Sequence, residues 1–190
     1  MKLVITSLFI LTLSGCKTSS SEPIPSTPTD TSELTQTLKQ QPTIDGQFQV
    51  LYDRFDHTLD RSESLTGPDE NNDGIRDDIE NLINLLQVTE PVRNAIKQNA
   101  RYFQKNLYHD WGDDSDENVV KAWRMGDEYE KVLACKNYAG ISARDSGNIA
   151  KTLTALTYNT KARTMTYLSY NRLQDGAFCV ALQAEAQYCE

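Results

Sequence analysis

The chain predicts an all-α fold, a single helical domain of about six helices, and three observations carry that reading. Large apolar residues recur three and four positions apart through most of residues 44–190, which gathers them on one side of a helix. Clusters of Ser, Thr, Asp, Asn and Gly separate these runs and supply caps and breaks. No stretch sustains the alternation of a half-buried strand, and no internal repeat of about 20 to 50 residues is visible.

Taken in order, Phe48, Leu51, Tyr52, Phe55 and Leu59 fall at i, i+3, i+4, i+7 and i+11 and define a first helix. Ile75, Ile79, Leu82, Ile83 and Leu86 repeat the pattern in a second, directly after an acidic stretch. Thr89 offers an N-cap with Pro91 in the first turn of a third, along which Val92, Ile96, Ala100, Phe103 and Leu107 line one side. After the break "DWGDDSDE", Ser115 or Asp116 can cap a helix using Val119, Val120, Trp123, Glu130, Leu133 and Ala134, with Gly126 a weak point in it. The stretch "AGISARDSGN" is a further break before Ile149, Leu153 and Leu156. The last helix restarts at "YNT" with Thr160 as cap and Met165, Leu168 and Arg172 along one face.

Residues 1–43 differ in kind. "MKLVITSLFILTLSGC" has a charged start, an apolar run from Leu3 to Leu13 and small residues after it. That run is too short for a transmembrane helix, which needs about 20 residues, and has the layout of an export signal. Leu13-Ser14-Gly15-Cys16 resembles the lipobox of bacterial lipoproteins. The resemblance implies that residues 1–15 are a signal peptide and that Cys16 becomes the lipidated first residue. In such lipoproteins an Asp in the place of Lys17 commonly retains the protein at the inner membrane, so its absence here implies an outer-membrane address facing the periplasm. An ordinary secretory signal ending near a cysteine is the alternative. Residues 17–43 are dominated by Ser, Thr, Pro and Gln, with Ile24, Leu34 and Leu38 as their large apolar residues. Residues 16–43 therefore read as lipidated cysteine and disordered tether, within which residues 32–40 can form a helical turn. The tether's stretched limit is on the order of 90 Å.

The formal charge is -8, and loss of Lys2 with the signal takes it to -9. An acidic chain is a poor partner for nucleic acid or anionic headgroups. Contact with the bilayer is expected through acyl chains on Cys16, two or more of which suffice for stable anchoring.

Residues 69–80, "DENNDGIRDDIE", put six carboxylates into a short stretch relieved by one Arg76. Asp69, Asn71, Asp73, Asp77 and Glu80 stand at positions 1, 3, 5, 9 and 12, with Gly74 at position 6. That is the spacing of the EF-hand calcium loop. Calcium takes about six to eight oxygens, so a short chain must curl around it and present an oxygen at alternate residues. Ile75 at position 7 would offer its carbonyl while its side chain enters the core, and Glu80 would close the site from the first turn of the next helix. Gly67-Pro68 breaks any incoming helix, position 8 is Arg76 instead of an aliphatic residue, and a second matching loop is missing. The stretch thus resembles the loops of thrombospondin type 3 repeats and similar bacterial half-loops more than a paired EF-hand. The expectation is one structural Ca²⁺. Mg²⁺ suits such a cage less, because it prefers few carboxylates and retained waters. A solvated acidic turn capping the next helix is the competing reading; crowded carboxylates repel one another, and a surface turn has no need of them. The second acidic stretch, residues 110–117, lacks a turn glycine and a spaced closing acid and reads as a solvated capping loop.

After export, Cys135, Cys179 and Cys189 share an oxidising compartment, and one disulfide is expected. Three pairings are open. Cys135 with Cys189 is favoured, because it pins the chain end to the middle of the domain. Cys179, next to Phe178, reads as a buried thiol.

No nucleophile elbow, phosphate-binding glycine loop, zinc spacing or redox cysteine pair is present. His57 and His109 read as surface residues. Tyr158, Tyr167 and Tyr170, near Arg163 and Arg172, line either a ligand groove or a helix-pair interface, with packing favoured. The function read from sequence is a membrane-anchored envelope lipoprotein, non-enzymatic, with a calcium loop and a binding or structural role. As a whole the chain resembles small proteobacterial envelope lipoproteins that carry such a loop, a resemblance that brings no activity with it. The alternatives are an envelope hydrolase using carboxylates and an inhibitor-like or immunity-like protein.

Overall fold

Leu34 and Leu38 lie four residues apart, and both are fully buried. The computed structural model describes residues 31–190; the signal peptide, Cys16 and residues 17–30 lie outside the described residues. Within them, Ser32–Lys39 forms helix α1, started by the Thr31 hydroxyl accepting the Leu34 N–H at 3.2 Å. Residues 32–39, read as part of the tether over 16–43, are thus helical. Two leucines are too little surface to hold a helix alone, but α1 lays both against α2, Ile44–Phe55, and joins the main core.

The fold is all-helical, with seven helices in one domain and no strand among the described residues. Thr43 caps α2, whose Phe48, Leu51 and Phe55 are buried, while Tyr52 stays exposed. The chain then passes through a 3-10 turn, Asp56–Thr58, and a long loop to α3, Asp77–Leu85. The acidic loop therefore precedes the third helix and not the second. Ile75, Ile79, Leu82, Ile83 and Leu86 are all buried, as their spacing predicted.

Helix α4, Glu90–Asn106, sits centrally, against α3, α5, α6 and α7. Thr89 is its N-cap, with Pro91 in the first turn. Helices α5 (Asp116–Tyr138), α6 (Ala143–Thr157) and α7 (Lys161–Leu173) complete the body, capped by the hydroxyls of Ser115, Ser142 and Thr160. The "AGISARDSGN" break is shorter than expected, because Ser142 starts α6 well before Ile149.

Two helices present a different face from the one their apolar residues suggested. In α5 the buried residues are Ala122, Met125, Gly126, Val132, Ala134, Cys135 and Lys136, whereas Val120 and Trp123 are exposed. Gly126 is no weak point: the helix runs through it, and a Cβ there would lie 2.9 Å from the Gln174 Oε1. In α7 the buried residues are Arg163, Tyr170 and Leu173, and Met165 and Leu168 face outward.

Three cationic side chains are completely buried, and each has its partners. Arg163, on α7, donates to the carbonyls of Asp60 (2.7 Å), Ser64 (2.8 Å) and Leu65 (2.9 Å) and pairs with the Asp60 carboxylate, pinning the loop before α3. Arg76 donates to both oxygens of Asp78 (2.6 and 3.0 Å) and to the Leu156 and Thr157 carbonyls (2.9 and 3.3 Å), so it caps the C-terminus of α6. Lys136 donates to Asn99 Oδ1 at 2.8 Å and the Ser146 carbonyl at 3.3 Å. Cys135 and Cys189 form a disulfide, as favoured, with their Cα atoms 5.0 Å apart. Cys179, read as buried, is instead exposed, in the non-helical stretch that follows Gly176.

Candidate metal centre

The loop 69–80 curls on itself, and its backbone explains how. Asn72 has φ 55° and Gly74 φ 82°, both left-handed; only the glycine adopts that without cost, and Asn tolerates it better than most residues. The Asp69 carboxylate accepts the Asp73 N–H at 3.1 Å and the Gly74 N–H at 3.0 Å, drawing positions 5 and 6 back over position 1. Asn71 Oδ1 accepts the Asp73 N–H at 3.0 Å, and Asp73 Oδ1 accepts the Ile75 N–H at 2.9 Å. Asp77 accepts the Glu70 N–H through both oxygens, at 3.2 and 3.3 Å. The main-chain N–H groups thus turn towards the side-chain oxygens at positions 1, 3, 5 and 9. Ile75 has its side chain fully in the core.

Glu80, at position 12, reaches back across the loop. Its Oε2 accepts Asn71 Nδ2 at 3.0 Å and its Oε1 accepts Lys97 Nζ, on α4, at 2.7 Å. Burial and the charges of Glu80 and Asp69 raise the Asp73 carboxyl above its ordinary value, outweighing the Ile75 hydrogen bond and Arg101. Burial also acts upward on Glu80, but the hydrogen bond and charge of Lys97, with Asn71 and Asp73, bring its net shift downward. Opposite shifts on close carboxylates are what a crowded acidic site produces.

The residues named from sequence therefore meet in one curled loop. Among the described residues, no three Asp, Glu, His or Cys side chains are yet drawn into a metal-ready cluster. Their oxygens are turned onto loop N–H groups, Asn71 Nδ2 and Lys97. The donor types suit a hard cation, and binding one requires side-chain rotations and displacement of Lys97 from Glu80. Lys97 escaped sequence reasoning because it lies 17 residues beyond Glu80, on another helix.

Arg76 at position 8 is also explained. It replaces the aliphatic residue of a paired loop and carries the loop's link to α6. Gly67 makes room for it: φ is 68°, and a Cβ there would lie 2.4 Å from Arg76 Cδ.

Elsewhere the expectations divide. His57 is exposed. His109 is partly covered, edge-on to Trp111 with ring centres 5.2 Å apart, and burial together with Lys121 and Lys105 lowers its pKa. In residues 110–117, Ser115 caps α5 and Asp113 accepts hydrogen bonds from Ser115 and Asn118, as a capping loop should. Tyr158 and Tyr167 stack at 4.6 Å and Tyr102 and Tyr170 share a hydroxyl hydrogen bond of 2.8 Å. These tyrosines pack between helices and also line an open groove. Arg163 belongs to the buried loop contact, and Arg172 pairs with Asp114 at the surface.

No protein-family model matches the chain, and neither the comparison with curated proteins nor that with solved structures finds a match. No helix among the described residues is long and apolar enough to cross a membrane.

Proposed function

We propose that the protein is a lipid-anchored envelope module, held to the bilayer through Cys16, whose helical body is stabilised by one structural Ca²⁺ and serves to bind another protein. The observation that supports the ion is the loop's curl. Asp69 accepts two N–H groups four and five residues ahead, which draws positions 5 and 6 back over position 1. Asp69, Asn71, Asp73, Asp77 and Glu80 would hold the ion with side-chain oxygens, Ile75 with its carbonyl.

The expected role follows from magnitude. Loops in extracytoplasmic modules bind calcium at about 10⁻⁴ to 10⁻³ M. At tenfold excess over the dissociation constant the folded state gains about 1.4 kcal/mol. That helps to hold Ile75 and Ile79 in the core, and a site that stays filled where calcium is plentiful is no sensor.

Thermal melts in millimolar calcium and in EGTA test the proposal. The chelator should lower the midpoint by about 3 to 6 °C, and Asp73→Ala should abolish that difference. Superimposable wild-type curves would refute the ion.

A further inference from the structure

Residues 177–185 run from the end of α7 to the 3-10 turn Ala186–Tyr188 with no helix, turn or bend of their own. Both ends of this strap are fastened. Trp123 Nε1, on α5, donates to the Leu173 carbonyl at 3.0 Å, and Gln174 Nε2 donates to the Ala122 carbonyl. At the far end Cys189 is bridged to Cys135, and Gln98 Nε2 donates to the Tyr188 carbonyl at 2.8 Å. Between these points, residues 178–184 neither donate nor accept a main-chain hydrogen bond among the described residues. Phe178 is 86% exposed and Val180 63%, and the free thiol of Cys179 between them is exposed as well. A held, extended run with unpaired N–H and C=O groups and apolar side chains in water is an edge that pairs with another strand.

The sequence of the strap says which strand. Ala177-Phe178-Cys179-Val180-Ala181 has the same character in both directions: small, large, thiol, large, small. Such a segment is its own complement, and a contact between two copies of it closes by a two-fold axis. With Cys179 opposite the partner's Cys179 in an antiparallel pair, Phe178 faces the partner's Val180 and Val180 faces the partner's Phe178. Aromatic and β-branched residues are favourable cross-strand neighbours. Ala177, Cys179 and Ala181 fall on the other side, where only small groups meet. Charge allows the approach, since residues 176–184 carry no charged side chain in a chain of formal charge -8. Repulsion from the rest is screened beyond about 8 Å at physiological salt.

We propose that two copies of this chain pair antiparallel through residues 177–181, and that Cys179 is then bridged to the partner's Cys179. Opposed residues that do not share hydrogen bonds stand about 4.5 Å apart at Cα, within the roughly 4.4 to 6.8 Å a disulfide spans. One thiol left over after the Cys135–Cys189 bridge is what a link between chains requires. The oxidant is a small-molecule disulfide. One Cys179 thiolate attacks it, forming a mixed disulfide and releasing one small thiol. The partner's Cys179 thiolate then attacks the protein sulfur of that mixed disulfide and releases the other, so the electron pair leaves on the two small thiols. The proposal names a second copy as the partner of the binding module, and it needs neither the ion nor the anchor.

The test takes the full chain at low micromolar concentration, in EGTA and in detergent micelles far outnumbering the protein, with excess oxidised glutathione. Non-reducing electrophoresis and peptide mass spectrometry read the products. Thiols that meet only by chance end as the glutathione adduct, whereas paired copies go on to a dimer whose bridging peptides both contain Cys179. Phe178→Lys should lower the bridged fraction about fivefold to tenfold, because a lysine then opposes each Val180. Adding Val180→Glu to it should restore most of the loss, since in this register each lysine faces a glutamate. Both positions are exposed, and circular dichroism establishes that each variant is folded. Cys179→Ser should give no bridged dimer. That order of yields supports the pairing whatever calcium does to the melts. The glutathione adduct as sole product, equal bridging by wild type and Phe178→Lys, no recovery in the double variant, a bridge through Cys135 or Cys189, or species larger than a dimer would each overturn it.

Discussion

Replacing Arg76 by methionine removes a charge that is entirely out of water and leaves a side chain of similar reach. The loss can be read from what is stranded. Asp78, only 8% exposed, loses both guanidinium contacts and keeps the N–H groups of Asp60 (2.6 Å) and Ile79 (2.7 Å). The Leu156 and Thr157 carbonyls at the end of α6 lose the group that caps them. Breaking one side of a buried pair costs about 3 to 5 kcal/mol, mostly from the uncompensated partner. Against a total stability of roughly 5 to 15 kcal/mol, this is a large fraction. The assay is urea unfolding followed by helical circular dichroism, with a melting midpoint lowered by on the order of 10 °C. Arg76→Met combined with Asp78→Asn should recover about half of the loss, because the amide still accepts a hydrogen bond without carrying charge. A loss below about 1 kcal/mol, or a double variant weaker than the single, would refute the claim that Arg76 ties the loop to α6.

The buried Lys136 sets a pH dependence and the disulfide a redox dependence. Burial holds the Lys136 ammonium down at about 8, against an ordinary value of 10.5. The unfolded chain therefore binds the proton more tightly, and stability should rise with pH between those values, by up to about 3 kcal/mol in total. Urea midpoints measured from pH 7 to 9.5 check this, and Lys136→Met should flatten the slope. Reducing the Cys135–Cys189 bridge, which spans 54 residues, should cost about 4 kcal/mol on the chain-entropy account. Melts of Cys189→Ser against wild type measure it.

Much of the fold was legible because helix periodicity and capping chemistry are local. Ser115 and Thr160 were readable as caps, and their hydroxyls accept the N–H groups of Asn118 and Arg163. The loop was legible for the same reason, since its oxygen spacing is a property of twelve consecutive residues. What escaped depends on partners distant in sequence. Leu34 and Leu38 are too weak a signal until α2 lies beneath them. The face of α7 was misread because Arg163 anchors it, and counting apolar residues treats an arginine satisfied by distant carbonyls as a solvent group. Arg76 is the same case within the loop, where its position looked like a departure from the pattern and is a structural tie. On α5, Gly126 looked like a weak point, yet the missing side chain is what admits Gln174.

The early helix at Ser32–Lys39 changes how far this body can travel. With Cys16 as the proposed fixed point, only some fifteen residues separate anchor from bundle, and even drawn taut they cover about 50 Å in place of the 90 Å that a leash running to residue 43 would allow. The bundle's working radius is thereby nearly halved. On the proposed anchoring, whatever it meets would have to come close to the bilayer surface.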